Sequence, residues 1–153
     1  MKGLFTSLFV VFTVQFSFGQ CIDTLNFPNL QPPCYADFVP VCGCDGVTYR
    51  NECYARFATV QQWQEGPCEN IVIDHYPNPV SYTMYLTVVS KFESNVNLYI
   101  FDRNGLAYYY NYMPLVTSTT LTIPVSGFEQ GLYVIMAESN GDVELSKFIK
   151  WNE

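Results

Sequence analysis

The chain has 153 residues and a formal net charge of -7 at neutral pH, a length that allows one ordinary domain or two small ones. The acidic balance argues against nucleic acid or an anionic membrane surface as a partner. Aromatic residues make up 17% of the chain and charged residues only 14%, which is typical of proteins rich in β-strands.

Residues 1–19 have the pattern of a secretory signal peptide. Lys2 provides a positive charge, an apolar stretch follows, and Ser17 and Gly19 are small residues at the expected cleavage positions. The apolar stretch is shorter than the roughly 20 residues of a membrane-spanning helix, so we predict cleavage rather than anchoring. A lipoprotein signal is the alternative because Cys21 follows almost at once, but the residue before that cysteine is a large glutamine.

All six cysteines lie between residues 21 and 68, and none follows in the rest of the chain. An even number of cysteines behind a signal peptide indicates disulfides formed in an oxidising compartment. We therefore predict a cysteine-rich unit at residues 20–69, a linker at 70–75 and a second domain at 76–153. A unit this short buries too little apolar surface to be stable alone, and disulfides at about 2–4 kcal/mol each would supply the difference.

The cysteine-rich unit is predicted to be a small disulfide-rich α+β module with one short helix. Asn51 suits the N-cap position of a helix over residues 52–63. Sequence alone leaves the pairing of the cysteines open. Only a bond between Cys42 and Cys44 is excluded, because a single residue separates them and the ring would be strained.

The second domain contains about seven short β-prone runs with turn signals between them. These runs are Ile71–His75, Thr83–Val89, Val96–Phe101, Leu106–Tyr112, Thr119–Pro124, Leu132–Ala137 and Val143–Lys150. Asn104-Gly105 and Asn140-Gly141 each stand between two runs, which is the strongest short-range signal for a hairpin. The pattern predicts an all-β antiparallel sandwich of about seven strands.

The sequence contains no convincing constellation for catalysis, a cofactor or a metal ion. His75 is the only histidine, and the cysteines are assigned to disulfides, which argues against a Cys/His nucleophile or a zinc site. The segment Asp102-Arg103-Asn104-Gly105 has oxygen ligands but lacks the spacing of a calcium loop, so a hairpin turn explains it better. We predict that the protein is not an enzyme and uses no cofactor.

Three consecutive tyrosines at positions 108–110 suggest a stacking platform for carbohydrate or, alternatively, ordinary sheet packing. Successive strand residues point to opposite faces of a sheet. We therefore predict sheet packing, with Tyr108 and Tyr110 on one face and Tyr109 on the other.

A regular cysteine spacing marks the stretch between Cys34 and Cys53. Seven residues separate Cys34 from Cys42, six separate Cys42 from Tyr49, and three separate Tyr49 from Cys53. The motifs within and after this spacing are Pro40-Val41-Cys42-Gly43, Asp45-Gly46, Thr48-Tyr49, Asn51-Glu52-Cys53 and the closing Cys68. With this pattern, the unit resembles a Kazal-type serine protease inhibitor domain.

The resemblance implies three disulfides, which join Cys34 to Cys53, Cys42 to Cys68 and Cys21 to Cys44. The last pair departs from the family, which has a helix cysteine near the positions of Arg56 and Phe57. Here Cys44 stands instead in the turn Gly43-Cys44-Asp45-Gly46. A bridge from the irregular strap at residues 21–33 to this turn would thus replace a bridge from the strap to the helix.

The resemblance also implies a reactive loop directly after Cys34, with the bond between Ala36 and Asp37 as the scissile bond. The loop residues in substrate order are Tyr35 at P2, Ala36 at P1, Asp37 at P1′ and Phe38 at P2′. Asn51 matches the spacer asparagine of the family, whose amide hydrogen-bonds the backbone on either side of the scissile bond. A loop that disulfides already hold in shape loses little entropy on binding, so most of its contact energy appears as affinity.

The small side chain of Ala36 implies a target of elastase-like or subtilisin-like specificity, because the residue that enters the S1 pocket dominates selection. Trypsin-like enzymes, which require Arg or Lys at that position, are disfavoured. The alternative function is a non-inhibitory, surface-displayed adhesion or structural module that uses the same folds.

Four short motifs follow one another along the second domain. They are Tyr76-Pro77-Asn78-Pro79, the stretch 96–105, Gly131-Leu132-Tyr133-Val134 and Lys147-Phe148-Ile149-Lys150. In this order and spacing they resemble the C-terminal sorting domain of the type IX secretion system. The resemblance implies the secretion machinery as a partner, transport across the outer membrane of a Gram-negative bacterium, and a secreted or cell-surface location. It also implies removal of the tail and attachment of the passenger to outer-membrane lipopolysaccharide.

Overall fold

The computed structural model of the protein describes residues 20–24 and 34–152. The predicted signal peptide at 1–19 and most of the strap, at 25–33, lie outside the described residues. The described residues form a small disulfide-linked module followed by a larger antiparallel sheet, which confirms the predicted fold class. None of their helices is long and apolar enough to cross a membrane.

The small module is a three-stranded sheet with one helix packed on it. Its elements are β1 (Val41–Gly43), β2 (Thr48–Tyr49), α1 (Glu52–Phe57) and β3 (Trp63–Glu65). The central strand is β1, which is antiparallel to both neighbours. Val41, Ala55 and Val60 form the buried apolar cluster of the module. So small a core cannot stabilise the module alone, and the disulfides supply the rest.

The disulfides join Cys21 to Cys44, Cys34 to Cys53 and Cys42 to Cys68, the same pairs that the family resemblance implies. The second of these bonds ties the segment before β1 to α1, and the third ties β1 to the end of the module. The first fastens residues 20–24 to the turn between β1 and β2.

The helix begins after Asn51, as predicted, but it ends at Phe57 instead of Trp63. Thr59 adopts a left-handed backbone with φ of 63°, a conformation that an α-helix cannot continue. Trp63 pairs with Gly43 in β3. The prediction of a helix was therefore wrong for residues 58–63, because strand pairing outweighs local helix preference at this point.

In the described residues the larger domain contains five antiparallel strands, two of them long. They are β4 (Ile71–Tyr76), β5 (Thr83–Asp102), β6 (Ala107–Pro124), β7 (Gly131–Ser139) and β8 (Asp142–Lys150). One edge of β5 pairs with β6, while β4 and β7 pair with the two halves of its other edge, and β8 lies beyond β7. The segment predicted as a linker, 70–75, thus lies almost entirely in β4.

The sheet folds over on itself at the middle of β5, so that its two halves enclose one core. Register shifts in the pairing of β5 with β6 lie between Val89 and Val96, and such irregularities bend and twist a strand. The fully buried side chains of β5 on the two sides of the bend are Met84, Leu86, Val88, Val96, Leu98 and Ile100. Two pairs of predicted short strands are the halves of β5 and of β6, which explains why about seven predicted strands are five.

The three consecutive tyrosines do not alternate between two faces, so that prediction was wrong. A register shift between Ile100 and Phe101 leaves Tyr108 in a bulge of β6. Tyr108 and Tyr109 consequently both pack against the buried core, whereas Tyr110 is exposed. The three rings therefore form no continuous aromatic surface.

Asn104-Gly105 and Asn140-Gly141 form the turns between β5 and β6 and between β7 and β8. Asp102 Oδ1 accepts hydrogen bonds from the backbone N–H groups of Leu106 and Asn104, at 2.8 Å each. The bond from Leu106 is the main cause that lowers the pKa of the Asp102 carboxyl, and the bond from Asn104 acts in the same direction. Within the described ranges, no group of three or more His, Cys, Asp or Glu side chains is placed to hold a metal ion.

His75 lies on β4, and its side chain contacts β8, which the folding of the sheet places opposite β4. Its Nε2 lies 3.0 Å from the Ser146 hydroxyl oxygen, and its ring packs edge-on against Phe148. Burial is the main cause that lowers the pKa of His75 below its ordinary 6.5, while the Asp74 charge and the Lys147 carbonyl act in the opposite direction. The folded domain therefore favours the neutral imidazole.

We expect the larger domain to lose stability on mild acidification because of His75. The unfolded chain binds the proton near pH 6.5, whereas the folded domain binds it only at lower pH, so the free energy of unfolding falls as the pH drops through this range. His75→Gln keeps a partner for Ser146 but does not titrate, so its stability should change less between about pH 7.5 and about pH 5.5. Urea unfolding of both proteins measures the difference, and an equal loss in both would contradict this assignment.

Candidate functional site

The segment at residues 34–40 has no regular secondary structure, and most of it is exposed on the surface of the small module. Tyr35 is 87% exposed, and Ala36 and Asp37 are exposed as well. The segment is fixed at its start by the disulfide to α1 and at its end by Pro40, which is buried beside β1. Its centre is therefore accessible, while both of its ends are held.

Asn51 holds this segment through its side-chain amide. Its Nδ2 donates to the carbonyl oxygens of Tyr35 and Asp37, at 3.1 and 3.0 Å. Its Oδ1 accepts from the Tyr54 N–H at 3.3 Å and so caps α1. Because the cap requires the oxygen to face the helix, the NH2 group must face the loop. Asn51 is only 6% exposed, so water competes little for these bonds.

The two carbonyls that Asn51 binds stand on either side of Ala36. The structure thus brings Tyr35, Asp37 and Asn51 together in the arrangement that the family resemblance implies, with Ala36 at the centre. One asparagine both starts the helix and supports the loop, so the position of the loop is tied directly to α1.

Arg50 also contacts the loop, although no sequence pattern predicted it. Its Nε donates to the Ala36 carbonyl oxygen at 2.8 Å, and its Cζ lies 5.5 Å from the centre of the Phe38 ring. Nη1 and Nη2 bind the two carboxylate oxygens of Asp74 at 2.8 and 2.7 Å. The hydrogen bond to Asp74 is the main cause that raises the pKa of Arg50. The planar guanidinium suits this bidentate pairing, which a lysine could not reproduce.

Asp74 belongs to β4, so the Arg50 contact joins the loop to the larger domain. Loop and sheet face each other across a cleft of about 680 Å³, which Thr87, Ser118 and Thr120 line on the sheet side. A sequence signal for Arg50 exists only in its position next to Asn51. No pattern pairs it with Asp74, because the two side chains lie on different domains.

Comparison with known proteins assigns both domains. The family model of the Kazal-type serine protease inhibitor domain matches residues 25–68, and that of the secretion system C-terminal sorting domain matches residues 74–151. Tomoregulin-2 from Bos taurus and Tomoregulin-2 from Mus musculus are each 53% identical to this chain over 50 residues, or 31% of the chain. Tomoregulin-2 from Homo sapiens matches to the same extent. The chain spans 13% of the length of these curated relatives.

The two family matches confirm both resemblances. The sorting domain directs the protein through the type IX secretion system to the cell surface or the medium, which confirms the predicted location. Its match covers half of the chain. The chain therefore belongs to the family of proteins with a secretion system C-terminal sorting domain, and it carries a Kazal-type domain in front of that domain.

Proposed function

We propose that this protein is a secreted inhibitor of serine proteases, which binds its target as a substrate would through the reactive loop, Tyr35–Phe38. The observation that supports the proposal most directly is the exposed Ala36–Asp37 bond, flanked by two carbonyls that the buried Asn51 holds. A bond presented in this way is accessible to an active site, while its surroundings resist the movement that hydrolysis requires.

Rigidity would turn this substrate-like loop into an inhibitor. Because the Cys34–Cys53 disulfide and Asn51 hold the loop in one shape, binding costs little conformational entropy. If the protease cuts the Ala36–Asp37 bond, the same contacts keep the new ends close together, so religation competes with hydrolysis. The enzyme would thus remain occupied instead of releasing products.

The methyl group of Ala36 would enter the S1 pocket, which favours serine proteases of elastase-like or subtilisin-like specificity as targets. A Kazal-type domain is non-enzymatic, and we extend this property to the whole chain, which would act by binding alone. Attachment of the exported protein to outer-membrane lipopolysaccharide, through removal of the sorting domain, belongs to the same proposal.

Titration of residues 20–153 against an elastase and a subtilisin tests the proposed function. We expect stoichiometric inhibition, with the chain still intact on a gel after prolonged incubation, and much weaker inhibition of trypsin. Rapid cleavage between Ala36 and Asp37 without lasting inhibition would contradict the proposal. A folded protein without effect on any of these enzymes would instead favour the adhesion or structural module.

Removing the unusual disulfide should lower stability without weakening inhibition. The Gln61 N–H donates to the Cys21 carbonyl at 2.8 Å, so this bridge is anchored beside β3, away from the contacts that hold the loop. We expect the double substitution Cys21→Ser and Cys44→Ser to reduce the free energy of unfolding by about 2–4 kcal/mol. Chemical denaturation measures this loss. A large rise in the inhibition constant of the folded variant would show that the bridge shapes the loop after all.

A further inference from the structure

We propose that the sorting domain locks the reactive loop. We call the contact formed by Ala36, Arg50 and Asp74 the loop lock. Asp74 holds the Arg50 guanidinium on the Ala36 carbonyl oxygen. The loop becomes fully available to a protease only when this contact opens. The inference rests on the proposed function and concerns the regulation of the same site.

The first argument is the direction of the Ala36 carbonyl. In an extended segment, successive residues point their carbonyl groups to opposite sides. The carbonyls of Tyr35 and Asp37 point inward to Asn51, so that of Ala36 points outward, where it accepts from Arg50. A substrate-like inhibitor must place this same P1 oxygen in the oxyanion hole of the protease. Arg50 therefore occupies a position that the enzyme has to take.

The second argument is that Arg50 cannot swing away freely. Asp74 binds both of its Nη atoms, and such bidentate, charge-assisted pairs are among the strong hydrogen bonds in proteins. The two side chains are only 30% and 22% exposed, so water and salt screen the pair less than they would a surface pair. The Phe38 ring supports the guanidinium from a further direction. Release of the Ala36 oxygen requires several contacts to shift together.

The third argument is the sheet that faces the loop. Phe38 and Val39 line one wall of the cleft, and Thr87, Ser118 and Thr120 line the other. A volume of about 680 Å³ admits a few side chains, whereas a protease must surround the residues that follow the scissile bond with the walls of its own binding cleft. The sorting domain thus hinders the same part of the loop that the loop lock holds.

The alternative is that the Arg50–Asp74 pair supports inhibition by stiffening the loop. The two cases predict opposite changes in the inhibition constant when the pair is removed. A lock makes the intact chain a weaker inhibitor than a chain without the contact, because opening the contact opposes binding. A support makes the intact chain the stronger inhibitor. The structure favours the lock, because Arg50 binds the outward carbonyl while Asn51 already holds the two inward ones.

The test compares the full chain, residues 20–153, with its Asp74→Ala variant as inhibitors of an elastase and a subtilisin. We expect an inhibition constant about tenfold lower for the variant, the effect of losing one competing charge-assisted contact. Arg50→Ala should also inhibit more tightly, and Asp74→Ala should add nothing in that background, because both act through one contact. Asp142→Asn removes a carboxylate from β8 of the same domain and should leave the inhibition constant unchanged.

Equal or weaker inhibition by Asp74→Ala, relative to the unchanged chain, would overturn the loop lock and leave the proposed function standing. Absence of inhibition by every variant, with circular dichroism showing that they are folded, would remove the proposed function itself. If Asp74→Ala does not fold, Arg50→Ala breaks the same contact from the side of the Kazal-type domain, and the sign of its effect decides between lock and support.

Discussion

Ala36→Arg is expected to turn the protein into an inhibitor of trypsin-like proteases and to remove its action on elastase-like ones. The S1 pocket of a trypsin-like enzyme carries a buried carboxylate, and pairing it with arginine contributes about 2–5 kcal/mol, or roughly 30- to 4,000-fold in affinity. A small elastase-like pocket has no room for the longer side chain, so affinity for such an enzyme should fall by a similar factor. Inhibition constants of both proteins for trypsin, elastase and subtilisin measure the change.

The effect of Ala36→Arg on inhibition can be assigned to the loop, because the substitution should hardly change the stability of the fold. Ala36 is exposed and contacts Arg50 through its carbonyl oxygen, so the free energy of unfolding should change by less than about 0.5 kcal/mol. Val47→Arg is the matched control, since Val47 is exposed in the turn between β1 and β2 and the same charge is added outside the loop. Trypsin inhibition by the control, or simple digestion of Ala36→Arg, would contradict the assignment of Ala36 to the S1 pocket.

Asn51→Ala is expected to weaken the module and its inhibition together. Loss of the helix cap costs about 1 kcal/mol, and the carbonyls of Tyr35 and Asp37 lose their donor at about 1 kcal/mol each. The free energy of unfolding should thus fall by about 2–3 kcal/mol. Without its fixed shape the loop must be ordered on binding, so we expect inhibition to be weaker by about 10²-fold and cleavage of the Ala36–Asp37 bond to be faster.

Asn51→Ser separates the two roles of this side chain. Serine is a good N-cap residue, so its hydroxyl can keep the bond from the Tyr54 N–H, and the stability loss should be smaller than in Asn51→Ala. The short hydroxyl cannot also donate to both loop carbonyls, so inhibition should weaken about as much as in the alanine variant. Thermal unfolding and protease titration of both variants measure the two effects. Full inhibition by Asn51→Ser would show that the donated bonds do not maintain the loop.

Features of the small module that depend on neighbouring residues were predictable from sequence. The helix begins after Asn51 because a short polar side chain caps the first turn, an effect within three residues. Its end was not predictable in the same way. Trp63 was the last residue of the predicted helix, but it pairs with Gly43 across the sheet, and that partner is distant along the chain.

The larger domain shows the same division between local and distant effects. The β-prone composition of short runs and the Asn-Gly turns identified most of the strand segments and two hairpins, since both signals are short-range. The joining of Thr83–Val89 and Val96–Phe101 into one bent strand depends on β6, which pairs along both segments and carries the register shifts. The bulge at Tyr108 arises from the same pairing, so the sequence near the tyrosines does not reveal it.

The sequence by itself determined the two families and the export of the protein, and it predicted the place of the proposed reactive loop, because cysteine spacing and short motifs are properties of the chain. Only the tertiary structure decided what surrounds that loop. The Arg50–Asp74 pair and the cleft beside Phe38 exist because two separately specified domains pack with particular faces together. Such packing depends on the shape and charge of whole surfaces, and no short motif encodes it.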